Sequence, residues 1–297
     1  MTMTWDTMTT SHRARDGAMT TVRADIAPGG IAVVTLNRPE ASNAIDDAMW
    51  EELRAAFRAL EVAEDVRACV IRGEGRNFNA GIDVASVEGV MGRLGDDASA
   101  PSTSRGAPCD GRRRERLLTR IERLQDVFST LERVRVPVIA AVRGACYGAG
   151  VDLITACDIR LCARDARFCV KEVDLGITAD VGTLQRLPTI VGHGRAMDLC
   201  LTARVVSSEE ALNFGLVSEV CDDVDARAMA LARTLAAKSP LAVRGTKRVL
   251  LRQRDNPSVR DGLHYVATHN AAMLISDDLH ESVRARFEKR PPMYAKL

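Results

Sequence analysis

At 297 residues, with 46% hydrophobic and 27% charged side chains, the chain has the make-up of one large globular domain with an appendage. Its 41 basic residues are balanced by 40 acidic ones and aromatics are only 4%. A basic excess or a base-stacking surface for nucleic acid is therefore excluded, and the apolar stretch from Val136 to Val142 falls far short of the ~20 residues a membrane helix needs.

Residues 1–21 lack apolar periodicity and an apolar h-region, so they read as a flexible tail without a signal peptide, and Met19 is an alternative start. The run Ile31–Leu36, closed by Asn37-Arg38-Pro39, predicts a strand. Asp46 or Asp47 then caps a helix whose Met49, Leu53, Phe57 and Leu60 recur at helical spacing. Ala68–Ile71 is a second strand. Residues 92–116, rich in Gly, Pro, Ser and charge, read as a mobile loop, with Arg112, Arg113 and Arg114 at a solvated helix start.

Leu117, Ile121, Leu124, Phe128 and Leu131 define the next helix, which Pro137 stops, and the strand Val138–Val142 follows. A glycine turn, a helix from Gly150 to Cys157 and a strand at Ile159–Ala163 repeat the pattern. Alternation at this spacing predicts an α/β fold with a wound, mostly parallel core over residues 22–222. Beyond it, residues 223–297 read as mainly helical. Ser207 with Glu210 forms a capping box, and Ser239-Pro240 and Asn256-Pro257 are read as helix starts. Leu263, Val266, Met273, Leu274, Leu279, Val283 and Phe287 leave an apolar face for a subunit interface.

None of the eight cysteines forms CxxC, so they read as small buried hydrophobes and not as zinc ligands, and the five histidines show no ligand or triad spacing. No metal site is expected. All but five of the basic residues are Arg, a bias that points to GC-rich coding and, with it, to a bacterial cytoplasm. The C-terminal Ala-Lys-Leu, one substitution from a Ser-Lys-Leu address, gives a peroxisomal alternative.

The chemistry concentrates in four segments. Phe78–Val84 (FNAGIDV) puts Ala-Gly just after a strand, where backbone N–H groups can face a pocket. Gly148-Ala149-Gly150 opens a helix, whose first N–H groups and dipole favour negative charge. Asp152, Glu172 and Asp180 stand near these turns. Asp152 and Asp180 are flanked by apolar residues and so read as desolvated, and a desolvated carboxyl becomes a usable proton carrier near neutrality. Asp152 has a second reading, as a brace for the helix after the glycine turn.

Together with NRPEASNAIDDAMWEEL, the FNAGID segment, GAGVD and VKEVDLGITADVGTLQRLP resemble the enoyl-CoA hydratase/isomerase (crotonase) superfamily, and within it the Δ3,5-Δ2,4-dienoyl-CoA isomerases. The resemblance implies a crotonase-like spiral of ββα units with a C-terminal helical region that assembles homotrimers or homohexamers. It implies an acyl-CoA thioester whose carbonyl oxygen sits in an oxyanion hole made by the N–H groups of Ile82 and Ala149, the latter a position that is commonly glycine. Coenzyme A, present as part of the substrate, would lie along Asn43, Ala44 and Ile45 and along Ala80, Gly81, Ile82, Asp83 and Val84, with Gly148 and Ala149 beneath the thioester. Hydratases of the family typically carry Glu where this chain has Asp152 and Gly where it has Asp180. By resemblance, Glu172 takes a proton from C2, Asp180 delivers one to C6, and Asp152 lines the pocket. No cofactor is implied. Enoyl-CoA hydration, a Δ3-Δ2 shift and non-catalytic acyl-CoA binding stay open as alternatives.

Overall fold

The computed structural model describes residues 20–85 and 109–295. Residues 1–19, most of the expected loop and the last two residues of Ala-Lys-Leu lie outside the described residues. In chain order the elements are β1 (Val22–Ala27), β2 (Ile31–Leu36), α1 (Asp47–Val62), β3 (Ala68–Gly73), α2 (Asp110–Arg133), β4 (Val138–Val142), β5 (Ala145–Tyr147), α3 (Ala149–Thr155), β6 (Ile159–Ala163) and β7 (Arg167–Cys169). There follow α4 (Thr183–Val191), α5 (His193–Thr202), β8 (Val206–Ser207), α6 (Ser208–Phe214), β9 (Glu219–Cys221), α7 (Val224–Ala236), α8 (Pro240–Asp255), α9 (Val259–Met273) and α10 (Asp277–Phe287).

A six-stranded sheet runs in the order β1-β2-β3-β4-β6-β9, parallel except for the edge strand β1, which pairs antiparallel with β2 from Val22 opposite Leu36 to Ala27 opposite Ile31. A smaller sheet runs β5-β7-β8, and Asn79 joins it through a parallel bridge to Cys146. Each turn of the spiral lays one strand in the large sheet, a short one in the small sheet, and then a helix, as in β4-β5-α3 and β6-β7-α4. This is the expected ββα spiral. The short strands escape a reading by periodicity, because three residues are too few to show a period, whereas β1, with Arg23 and Asp25 alternating with Val22 and Ala24, carries the two-residue period of a half-buried edge strand.

Both faces of the large sheet are covered, so β2 and β4 are buried at every position. Met49, Leu53, Phe57 and Leu60 of α1 and Phe128 and Leu131 of α2 pack on one face, with Trp50 and Phe128 at a ring-centroid distance of 5.0 Å. On the other face Val224, Ala228 and Ala232 of α7 meet Ile31, Val70, Ile139 and Leu161. These small residues at i, i+4 and i+8 let α7 lie close to the strands.

Two local expectations need correction. The loop ends before Asp110 and not at residue 116: Arg112, Arg113 and Arg114 lie at the N-terminal end of α2, as the expected helix start, with Asp110 in the first turn suiting the helix dipole. Asn256-Pro257 stops α8 instead of starting α9: the proline holds Asn256 at φ −131°, ψ 85°, outside the helical region, and Ser258 is the cap, accepting from the Asp261 N–H. The other caps are as expected. Asp46 accepts from Met49 N–H, Ser207 and Glu210 form the capping box, and Ser239 caps α8 with Pro240 at its first position.

Helix α8 is pinned to the core by the buried Lys247, whose ammonium donates to Leu131 O, to Val136 O and, at 2.7 Å, to Asp158. Helix α9 buries nothing, and Leu263, Met273, Leu274, Leu279, Val283 and Phe287 are exposed in the single chain, with Val266 half-buried. Among the described residues no helix is long and apolar enough to cross a membrane. The eight cysteines are free thiols, six of them buried.

Candidate active site

The turn after β3 brings a backbone donor to the site. Ile45 pairs with the two neighbours of Ile82: its N–H donates to Gly81 O at 2.8 Å and its carbonyl accepts from Asp83 N–H at 2.9 Å. In a parallel bridge of this kind the middle residue turns its own amide to the other side. The Ile82 N–H has no acceptor among the described residues, and neither has that of Ala149, the first residue of α3.

Gly148 brings the two donors together. At φ 50° its conformation suits glycine, and a Cβ there would lie 3.7 Å from Gly81 Cα and 3.3 Å from Glu172 Oε1. Gly81, Gly148 and Glu172 therefore converge on one point, with the N-terminus of α3 beside it.

The acids have distinct surroundings. Asp152 is fully buried on α3, where its Oδ1 accepts the Thr183 N–H at 2.6 Å while Oδ2 has no partner. Burial pushes its carboxyl up to about 6, against the hydrogen bonding from Thr183. Glu172 opens the short 3-10 turn after β7 and is buried, with Oε2 unpartnered. Burial first, and then the negative charge of Asp152, push it up to about 7. A carboxyl with that value is about half ionised at neutral pH, and its ionised form is basic enough to accept a proton.

Asp180 corrects one expectation. It is exposed in the single chain, not enclosed, although partial burial still raises its carboxyl above the ordinary range. The reason lies in the extended segment before α4, where Ala179 and Val181 point inward at 6% and 3% exposure and so turn the residue between them outward. The carboxylate enters no ion pair among the described residues, and its hydrogen-bond partner is its own main-chain N–H. The main chain is held, since Gln125 of α2 donates to Asp180 O at 2.7 Å and Asp152 grips Thr183. Asp180 also adds to the raised value of Glu172, so the two charges sense one another.

The residues expected along coenzyme A divide in two. Ala44 is half-buried and Ala80 and Val84 are exposed, so they border solvent. Asn43 and Ile45 are fully buried. The Asn43 side chain is consumed by Arg38 N–H, Glu74 O and Asn77 O, and Asp83 is held by Arg38 at 3.0 Å. Asn43 and Ile45 offer a ligand no free polar group: Asn43 N–H donates to Arg38 O and its carbonyl accepts from Asn79, and both main-chain groups of Ile45 are taken by Gly81 and Asp83. Cys200 of α5, unremarked in the sequence, lies near the acids: burial and then the charges of Glu172 and Asp152 raise its thiol to about 11. Its signal was absent because α5 meets the 3-10 turn only in three dimensions.

Comparison with known proteins bears on this geometry. The family described as enoyl-CoA hydratase/isomerase matches residues 27–102 and 111–296. A peroxisomal Δ3,5-Δ2,4-dienoyl-CoA isomerase of Arabidopsis thaliana is 48% identical over 88% of this chain and 91% of its own. A mitochondrial Δ3,5-Δ2,4-dienoyl-CoA isomerase of Homo sapiens is 43% identical over 93% of this chain and 82% of its own. The crystal structure of an enoyl-CoA hydratase from Bacillus anthracis superposes with a TM-score of 0.79 at 27% identity, covering 92% of this chain and 98% of that one. The location expected from the Arg bias, a bacterial cytoplasm, is overturned by these relatives, which are peroxisomal and mitochondrial proteins of eukaryotes. Codon-driven composition carries no address.

Proposed function

The chain belongs to the enoyl-CoA hydratase/isomerase family, and from that premise we propose that it is a Δ3,5-Δ2,4-dienoyl-CoA isomerase working by proton transfer from C2 to C6. The observation that carries this reading is the third acid. Asp180 lies within electrostatic reach of the raised Glu172 with no charged partner of its own among the described residues, and relatives named for this isomerisation are 38–48% identical to the chain.

The thioester oxygen accepts the Ile82 and Ala149 N–H groups. A thioester α-proton leaves only if the enolate oxygen is stabilised, and one such donor is worth about 3–4 kcal/mol of barrier. Ionised Glu172 removes the C2 proton, and the charge spreads over O, C2, C4 and C6. Protonated Asp180 returns a proton at C6, giving the 2,4-diene. C2 and C6 lie too far apart for one fixed carboxylate, so two carboxyls of different protonation state are needed. Asp152, through Thr183 N–H, holds the start of α4 and with it the segment bearing Asp180. Its negative charge keeps Glu172 basic.

The reaction moves protons and no electrons, so it calls on neither a metal nor a redox group, and coenzyme A enters only as part of the substrate. The acyl-CoA lies along the 80–84 segment and against Ala44, the accessible residue of the 43–45 turn, while the buried Asn43 and Ile45 support that turn. The exposed apolar residues of α9 and α10 pack against further copies of the chain, in trimers or hexamers.

One observation favours hydration as a second reading: Asp152 Oδ2 and Glu172 Oε2 are both buried without partners, as a carboxyl pair holding a water would be. Ultraviolet assays with 3,5-dienoyl-CoA and with 2-enoyl-CoA separate the two. Growth of the 2,4-dienoyl band, with 2-enoyl-CoA consumed at least about 100-fold more slowly, is the expected result. Efficient hydration without isomerisation overturns the proposal.

A further inference from the structure

The mechanism leaves Asn79 without a role, yet it is fully buried and every polar atom it has is engaged at the junction of the two oxyanion donors. Its side-chain Oδ1 accepts the Gly81 N–H at 2.8 Å, and its Nδ2 donates to Asn43 O at 2.5 Å. Its main-chain N–H donates to Ala145 O, and its carbonyl accepts from Tyr147 N–H, both at 2.9 Å. It also lies directly under the start of α3, because a Cβ on Gly150 would meet Asn79 Oδ1 at 3.0 Å and Asn79 Cβ at 3.1 Å.

These contacts account for three consecutive amides. Gly81 N–H goes to Asn79, Asp83 N–H goes to Ile45, and only Ile82 N–H is left over. Gly81 holds φ 101°, a conformation that nothing in its own side chain enforces. Without the Asn79 acceptor, the Gly81 amide would be an unsatisfied buried donor, and rotation of the 80–81 peptide to satisfy it would carry the Ile82 amide with it. The same side chain touches Gly150 and so sets how closely the Ala149 donor approaches.

We propose that Asn79 is a positioning residue that fixes the spacing and aim of the Ile82 and Ala149 donors on the thioester oxygen. It touches no substrate. The inference rests on the oxyanion reading above but not on the site of reprotonation, since any acyl thioester in this pocket would be polarised in the same way.

The test is a spectroscopic one on bound 2,4-octadienoyl-CoA, whose ultraviolet band moves to longer wavelength when donors polarise its carbonyl. In Asn79→Ala the shift is expected to fall by more than half and kcat by about 100-fold, the scale of a misplaced reacting group, with KM changed less than about threefold. Asn79→Asp, read at a pH low enough to protonate its carboxyl, keeps an oxygen for Gly81 N–H and a donor for Asn43 O and is expected to restore most of the shift. A folded Asn79→Ala protein with the full shift overturns the proposal. If Asn79→Ala does not fold, Asn79→Asp decides alone, because loss of the shift in that protein with the ligand still bound also overturns it. Wild-type protein that shifts the band but does not isomerise 3,5-dienoyl-CoA refutes the reaction and leaves this inference standing.

Discussion

Asp180→Asn is expected to lower isomerisation of 3,5-dienoyl-CoA by about 10²–10⁴-fold, the usual worth of a general acid, while the affinity for the CoA ester stays within a few-fold. The side chain is exposed and free of ion pairs among the described residues, so the neutral amide disturbs no packing or ion pair. A partial reaction survives. Glu172 still removes the C2 proton, so in deuterium oxide the variant exchanges C2 hydrogen with solvent although it cannot complete the transposition.

The pH dependence of that exchange has a definite sign. In the proposed mechanism Glu172 acts as the ionised form, and in the folded chain its carboxyl is raised to about 7, so the exchange rate is expected to climb as pH rises towards that value and to level above it. Because Asp180 contributes to the raised value, its removal moves the midpoint somewhat lower. Proton and mass analysis of recovered substrate measures both quantities. Full isomerisation by the variant contradicts the role assigned to Asp180.

Glu172→Gln is expected to abolish both the isomerisation and the C2 exchange, again by about 10²–10⁴-fold. The amide is close in size to the carboxyl, but it cannot accept the proton. The substitution also removes a buried, partly ionised group whose Oε2 has no hydrogen-bond partner, so thermal stability is not expected to fall. The contrast between the variants is the informative point. Loss of Asp180 separates C2 exchange from product formation, whereas loss of Glu172 stops both, and C2 exchange persisting in Glu172→Gln contradicts the assignment of the base.

Much of this was legible in the sequence because the long elements obey simple periods. The i, i+3, i+4 spacing of α1 and α2 and the unbroken apolar runs of β2 and β4 announce themselves. The glycine turn at Gly148 and the acids Asp152 and Glu172 converge in space as their motifs implied. What stayed hidden depends on contacts between distant segments. The role of Asn79 arises from bonds to Asn43 and to Tyr147, which no local pattern encodes. The exposure of Asp180 was misread because apolar neighbours in an extended segment point opposite to the residue they flank. The hold of Asp152 on Thr183 spans 31 residues and forms only once α3 and α4 are packed, so it ties down the start of α4 and not the helix after the glycine turn.

The central claim is that separate groups serve C2 and C6, with Asp180 open to solvent. It is tested most directly by a single turnover of 3,5-dienoyl-CoA by the wild-type protein in deuterium oxide, with the product read by nuclear magnetic resonance. Two-carboxyl transfer places solvent deuterium at C6 in essentially every product molecule. Retention of the original C2 hydrogen at C6 means that one group carried it the whole way, and contradicts the mechanism.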